Sequence, residues 1–498
     1  MLTHLPVLQV VVPLLAAPAC LLLDRARLAW LFALMASTIS LVISALLLYQ
    51  VNQHGTLVYA LGGWDAPWGI EYRIDLLAAY VLLVVSGIAT LVIAAMGQGI
   101  ALEIPQERQP VFYVIYLLCL AGLLGIVATG DIFNVFVFLE ISSLATYALI
   151  AHGQDRRALW ASYQYLIVGT IGATFILIGI GFLYSLTGTL NMQDLAQRIP
   201  ETDSVRTAYT AFAFLVVGIC LKLALFPLHL WLPNAYAYAP SLVTAFLAAT
   251  ATKVAVYLLI RVHFSVFGEH FVSSVLPLHN ILITLGLIGV FVASLVAIFQ
   301  TNIKRLFAYS SIAQIGYMIV GIGFGTAVGV QATLLHLFNH ALMKGALFMA
   351  LAAVVYRLGS ADISAFRGLG RQMPWTMAAI VIGGLSLIGM PLTVGFVSKW
   401  YLVLAAIEAD MWPIALLILA GSILAVVYVW RLVETAYFPS GDEPMPEVQG
   451  TVASREAPLA LLIPTWLLVV VNIYLGIDTR LTVGTSGAVA SALLGVGQ

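Results

Sequence analysis

The chain is 498 residues long, 62% hydrophobic and only 9% charged, with a mean hydropathy of +1.05. A soluble protein of this size needs roughly 25% charged residues to cover its surface, so most of this exterior is expected to face lipid. The net charge of −1 supplies no basic stripe for nucleic acid, and Cys20, Cys119 and Cys220 stand singly in apolar stretches, with no CxxC pair for zinc, iron–sulfur or redox chemistry.

A helix rises 1.5 Å per residue, so windows of about 20 apolar residues mark membrane spans. Fourteen follow in chain order, at 5–23, 28–50, 75–97, 110–128, 131–150, 160–186, 207–226, 240–262, 276–300, 306–325, 328–356, 376–407, 411–436 and 457–476. The first lacks the positive leader of a cleavable signal and is expected to be retained. The longest connections (51–74, 187–206, 357–375 and 437–456) are too short for a folded domain, so 1–498 is expected to be one all-α membrane domain. Loops after odd-numbered spans, with their flanks, carry 12 of the lysines and arginines and the opposite side carries 5. That bias predicts a multi-pass protein of the cell (inner) membrane with both termini on the outer side.

The other four basic residues lie inside spans. Lys222, Lys253, Lys344 and Lys399 are four of only five lysines in the chain. Each costs about 2.5–3.5 kcal/mol at a helix centre, and such a pattern has no structural benefit. Glu140 sits mid-way along the fifth span, in Val-Phe-Leu-Glu-Ile-Ser-Ser-Leu-Ala-Thr-Tyr. Groups kept from water and close to one another exchange protons readily, so these residues read as a proton relay. Snorkelling to the headgroups is the competing reading for a lysine near a span end, and it stays open for Lys344 and Lys399. Asp131 and Glu434, at span ends, read as interfacial.

His336, His340 and Lys344 recur at i, i+4 and i+8, which puts them on one helix face. Two histidines so spaced also suit a metal. No third ligand is in view, however, and the glutamate of HExxH is missing, so neutral imidazoles passing protons fit better. His229 is a further candidate. Neither a phosphate loop nor a dinucleotide fingerprint is present, so no cofactor and no metal are expected. Gly321, Gly323 and Gly325 read as close helix packing.

Prolines mark where the path opens. Pro227 and Pro233 follow Lys222, and Pro391 precedes Lys399. Proline removes a backbone donor and clashes with the preceding turn, and broken helices at membrane depth persist only where buried or lining a wet cavity. Broken seventh and twelfth spans, five apart, predict two inverted five-helix repeats. The expected division is 1–109 (three helices), 110–262 (first repeat), 276–437 (second repeat) and 438–498 (C-terminal helix and tail).

The stretches around Glu140, Lys222 to Lys253, His336 to Lys344 and Gly389 to Lys399 resemble the antiporter-like subunits of Mrp cation/proton antiporters and respiratory complex I, over about 110–437. Gly-Gly-Trp-Asp-Ala-Pro-Trp-Gly-Ile-Glu-Tyr (62–72), and a chain of fourteen spans without a long C-terminal extension, look most like the D-type subunit of Mrp antiporters. The resemblance implies that Glu140 pairs with Lys222, and that Lys253 and His336 continue a hydrophilic axis to Lys399. Met390-Pro391 departs from the two prolines of many relatives, which puts the angle of that break in question. The function implied is a proton-translocating subunit of a multi-subunit Mrp-type Na+/proton antiporter, with other membrane subunits as partners. A proton-pumping, non-redox subunit of complex I or of a membrane-bound hydrogenase is the alternative. A scaffold held together by buried charges is the third reading, and the intramembrane lysines argue against it.

Overall fold

A computed structural model describes residues 2–23, 25–202, 204–273, 278–438 and 455–495. In chain order the helices are α1 (Leu5–Cys20), α2 (Ala26–His54), α3 (Leu76–Gly99), α4 (Gln109–Ala128), α5 (Ile132–Ala151), α6 (Arg157–Thr187), α7 (Met192–Arg198) and α8 (Val205–Leu223). There follow α9 (Trp231–Tyr238), α10 (Ser241–Ala249), α11 (Ala251–Ile260), α12 (Glu269–Ser273), α13 (Leu278–Ile298), α14 (Ile303–Gly323) and α15 (Ala327–Leu358). The last are α16 (Leu369–Gln372), α17 (Pro374–Ile388), α18 (Val394–Glu408), α19 (Trp412–Tyr437), α20 (Leu459–Ile477) and α21 (Arg480–Leu494). Among the described residues twelve helical segments are individually long and apolar enough to span a membrane. The shorter α1 and the α17–α18 pair complete the expected fourteen.

The bundle is layered around its charged helices. Helices α2 and α19 expose Leu31, Met35, Ile39, Val42, Leu416 and Ile423, the apolar face required by lipid. By contrast, α14 and the α10–α11 span are 94% buried over their most apolar windows. Polar groups therefore sit where protein, not hydrocarbon, surrounds them.

Two breaks fall where proline predicts them. Helix α8 stops at Leu223, with Ala224 left-handed at φ 61°, and Pro227 lies in the turn before α9. Helix α17 stops at Ile388, with Gly389 left-handed, and Pro391 precedes α18. Pro233 breaks nothing, because it falls in the first turn of α9, where its missing donor would be unsatisfied anyway. A third break has no proline: Thr250, at φ −123° and ψ −60°, separates α10 from α11. The same span ends in a π-helical turn over Arg261–Phe267, a form frequent at functional sites.

The inverted repeat is visible in two matching clasps. Asp131 and Asn191 form an isolated antiparallel bridge, in which Ile132 N donates to Leu190 O and Met192 N to Gly130 O, both at 2.9 Å. Asn302 and Asp362 repeat it, with Ile303 N donating to Ala361 O and Ile363 N to Thr301 O at 2.8 Å. Five spans separate the clasps, so they close opposite ends of the bundle. Details outside the spans differ from the sequence reading. The 51–74 connection holds a hairpin, Leu57–Ala60 against Glu71–Ile74, and the expected C-terminal tail contains α21, whose Val483 carbonyl accepts from Gln331.

Candidate functional site

Lys222 is the penultimate residue of α8, at the break and not deep in an unbroken span. Its ammonium lies 3.9 Å from Glu140 Oε1 on α5 and donates to Ser143 Oγ at 2.8 Å and Tyr147 Oη at 3.4 Å. Ser143 and Tyr147 follow Glu140 at one-turn intervals, so helical periodicity puts all three against the lysine. The pairing expected from the sequence is present. The burial expected of both partners is not: the Lys222 side chain is 6% exposed but that of Glu140 is 30% exposed. Hydropathy places a residue in a span without saying which face it takes.

Lys253 is fully buried and donates to the carbonyl of Ala248 and to Thr252 Oγ1. The break at Thr250 explains this arrangement. A helix that stops leaves its last carbonyls without intrahelical donors, and Ala248 belongs to the last turn of α10. A cavity of about 40 Å³ lies between Ser143, Lys222, Trp231 and Thr252. About 10–15 Å³ suffices for one water, so a short file of water fits between Lys222 and the residue preceding Lys253.

Helix α15 carries the stripe. His336, His340 and Lys344 are all fully buried, and the two rings are nearly parallel, 6.1 Å apart. His336 Nδ1 is 2.9 Å from Ser398 Oγ on α18, whereas both nitrogens of His340 are without a protein partner. Lys344 turns the other way, donating to Phe307 O at 2.8 Å and to Ser310 Oγ on α14. The snorkelling reading therefore fails for Lys344. Lys253 is near enough to His336, His340 and Lys344 to act on each through its charge.

Lys399 is also buried. Its ammonium donates to Leu387 O at 2.8 Å, Ile388 O at 3.0 Å and Ser422 Oγ at 2.9 Å, and stands 5.0 Å above the Tyr317 ring. Tyr317 in turn is 5.8 Å from His336, ring to ring. Snorkelling fails here too, since the lysine points at the end of its own broken helix.

The structure thus pairs Glu140 with Lys222, sets Lys222 and the neighbour of Lys253 on one small cavity, and puts Lys253 near His340 and His336, His336 near Lys399, and Lys344 near Lys253. His229 is buried in the turn after α8, stacked on Phe226 at 5.2 Å with Nδ1 unpartnered, and shows no bond to the lysines. Asp131 is a buried N-cap that accepts from Asn134 N at 2.7 Å, a structural role; Glu434 is exposed.

Other residues escape the sequence reading. Lys304, counted there with the loops, is the second residue of α14 and 6% exposed. Arg261, also counted with the loops, is buried and paired with both oxygens of Asp75. Glu269 joins His263 at 3.1 Å and His279 at 2.8 Å; burial raises its pKa, but these two contacts outweigh that and hold it at about 2. No spacing signal could have found that cluster, because it joins two spans through a short helix. Among the described residues no three His, Cys, Asp or Glu side chains are set to hold a metal.

Residues 129–425, from the first clasp to the middle of α19, match the family described as NADH:quinone oxidoreductase/Mrp antiporter, TM, and the chain belongs to it. Its likeness extends to particular members of that family. The chain is 42% identical over 488 residues to NADH-quinone oxidoreductase subunit N of Desulforudis audaxviator, covering 96% of each. It is 31% identical over 436 residues to the D-type subunit of the Na(+)/H(+) antiporter of Alkalihalophilus pseudofirmus, covering 88% of this chain and 86% of the relative. A chain of the membrane-bound sulfane sulfur reductase, an archaeal respiratory membrane complex, superposes with a TM-score of 0.87 at 31% identity, covering 99% and 98%.

Proposed function

We propose that this chain is the proton-translocating subunit of a hetero-oligomeric membrane complex, passing protons through Glu140, Lys222, Lys253, His336 and Lys399. His340 and Lys344 belong to the same path, and His229 borders it. The observation that carries this reading is the row of four buried lysines, each given oxygen partners and one given a carboxylate. Apolar residues would fill those places more cheaply, and a lysine amine, unlike a guanidinium, gives up its proton. The five-helix unit 110–262 supplies Lys222 and Lys253, each beside a helix break, and the unit 276–437 supplies Lys344 and, beside its break, Lys399.

Two settings share these residues. In the first, an Mrp-type antiporter, proton movement through this chain is coupled to Na+ movement; the likeness to a Na(+)/H(+) antiporter component supports it. In the second, a redox complex drives the same path and this chain carries no redox chemistry itself. The 42% identity to a quinone oxidoreductase component and the match to a respiratory complex support that setting. The basic residues gathered after odd-numbered spans support a cell-membrane location with both termini outside.

Purification of the intact complex from its native membrane separates the settings. Flavin or iron–sulfur partners that co-purify place it with redox enzymes, and Na+-dependent proton flux without them places it with antiporters. A complex that moves no protons in sealed vesicles under either drive would overturn the proposal.

A further inference from the structure

Far from the lysine row, a cavity of about 560 Å³ opens between α2, α3, α4 and α20, on the face that bears the loops after the first and third spans. Among its described lining residues the single full charge is the Arg27 guanidinium. Arg27 is exposed, as are Gln98 and Gln106 beside it. None of the three has an ion-pair or hydrogen-bond partner among the described residues. One wall is the Trp30 indole, which donates to Ile93 O at 2.8 Å and lies on Gly97, where a Cβ would meet its Cε2 at 2.5 Å. Tryptophan is favoured at headgroup depth.

Tyr113 supplies an independent observation. It lines the same cavity from α4 and is only 1% exposed, yet its hydroxyl makes no hydrogen bond among the described residues. A buried tyrosine hydroxyl ordinarily finds an acceptor. A donor without an acceptor, next to a free guanidinium, calls for an anion.

The cavity continues as a furrow. Gly87, Leu91, Ala94 and Gln98 fall at helical intervals on one face of α3, and none of them is fully buried. A Cβ on Gly87 would meet only Leu41 Cδ1 of α2, at 3.8 Å, so the small residues leave room. Helices α2 and α20 both pack on α3. At 1.5 Å per residue the stripe from 87 to 98 runs about 16 Å, about one leaflet of a hydrocarbon core roughly 30 Å thick. A free phosphate would use the polar end and leave the furrow empty. A phospholipid uses both.

We propose that this cavity and furrow bind one anionic phospholipid. Arg27 and the Tyr113 hydroxyl donate to its phosphate, Gln98 and Gln106 meet the polar headgroup, and one acyl chain lies along α3. The lipid then ties the N-terminal three-helix unit to α20. It takes no part in proton transfer, so the inference stands apart from the translocation reading.

Photolabelling tests it. The intact complex is placed in phosphatidylcholine nanodiscs doped with phosphatidylglycerol that carries a diazirine in one acyl chain, and labelled peptides are read by mass spectrometry. Label is expected on residues 87–98. In the Arg27→Gln, Tyr113→Phe double variant it is expected to fall roughly tenfold, the loss of one charge contact and one hydrogen bond. Label on the lipid-facing side of α19 is expected to stay unchanged, which shows that the variant is folded. Arg27→Lys keeps the charge and is expected to retain most of the label. Absence of label on 87–98 in the unaltered complex, or label undiminished in the double variant, overturns the site. Equal labelling by a phosphatidylcholine probe overturns recognition of an anionic headgroup. Cross-linking of 87–98 to another subunit's polypeptide instead of lipid makes the furrow a protein interface and overturns the proposal.

Discussion

Lys222 and Lys399 stand beside the broken helices of the two five-helix units, yet their charges are met in different ways. Lys222 faces a full negative charge, Glu140 at 3.9 Å, and the last carbonyl region of its own helix is occupied elsewhere, Leu221 O accepting from Trp231 Nε1 at 3.0 Å. Lys399 forms no ion pair among the described residues. It takes instead the carbonyls of Leu387 and Ile388 that the end of α17 leaves free. A helix C-terminus carries about half a negative charge, spread over such groups. Lys253 follows the second pattern, with Ala248 O released by the break at Thr250. A broken helix is therefore more than a hinge in this chain. It is a source of acceptors that a continuous helix would keep for itself.

If both lysines exchange protons despite their different partners, arginine must fail at both. Lys222→Arg and Lys399→Arg are expected to cut proton flux by on the order of 10²-fold in vesicles carrying the whole complex. Normal flux at either site would show that charge alone is needed there. The next effect separates the two. Glu140→Gln leaves an ammonium without its counter-charge, a loss of about 3–5 kcal/mol when such a pair is buried and less for this half-exposed glutamate. Flux is expected to fall roughly tenfold. Ser422→Ala leaves Lys399 two carbonyls and is expected to cost less than about threefold, one hydrogen bond among several. Equal damage from the two would erase the distinction.

The breaks themselves are also held differently. A Cβ on Gly395 would meet Ser386 O at 1.8 Å, so α18 packs on α17 only because that side chain is missing. Gly395→Ala is expected to destabilise by about 1–3 kcal/mol, seen as a lower melting temperature in detergent. In the first unit the corresponding contact is the Trp231 hydrogen bond. Trp231→Phe keeps the stacking on Tyr165 and is expected to cost only about 1 kcal/mol. A larger loss than that of Gly395→Ala would reverse the ranking.

Sequence made some of this legible because the physics was local. A lysine in an apolar window is conspicuous by its cost, and prolines announce breaks at 227 and 391. The third break is invisible because Thr250 is neither proline nor glycine; the ammonium of Lys253 on Ala248 O is what stabilises it. Lys304 reads as a loop residue because its burial depends on a carbonyl 65 positions away. The exposed side of Glu140 was equally hidden: Glu140, Ser143 and Tyr147 mark one polar face of α5, but their spacing does not say how completely neighbouring helices cover it. The hairpin at 57–60 and 71–74 consists of strands too short to stand out from a connecting loop.

The paired clasps carry one more consequence. A unit of five spans turned over and repeated shows both aqueous compartments the same architecture, so symmetry alone gives a current no preferred sense. Whatever makes transport vectorial must reside in positions where the copies disagree. Counted from the clasps, Glu140 corresponds to Ser311, His336 to Tyr165, His340 to Gly169 and Lys344 to Ala173. At these four positions the first copy holds the acid and the second the bases, and a preferred direction has to arise at mismatches of this kind.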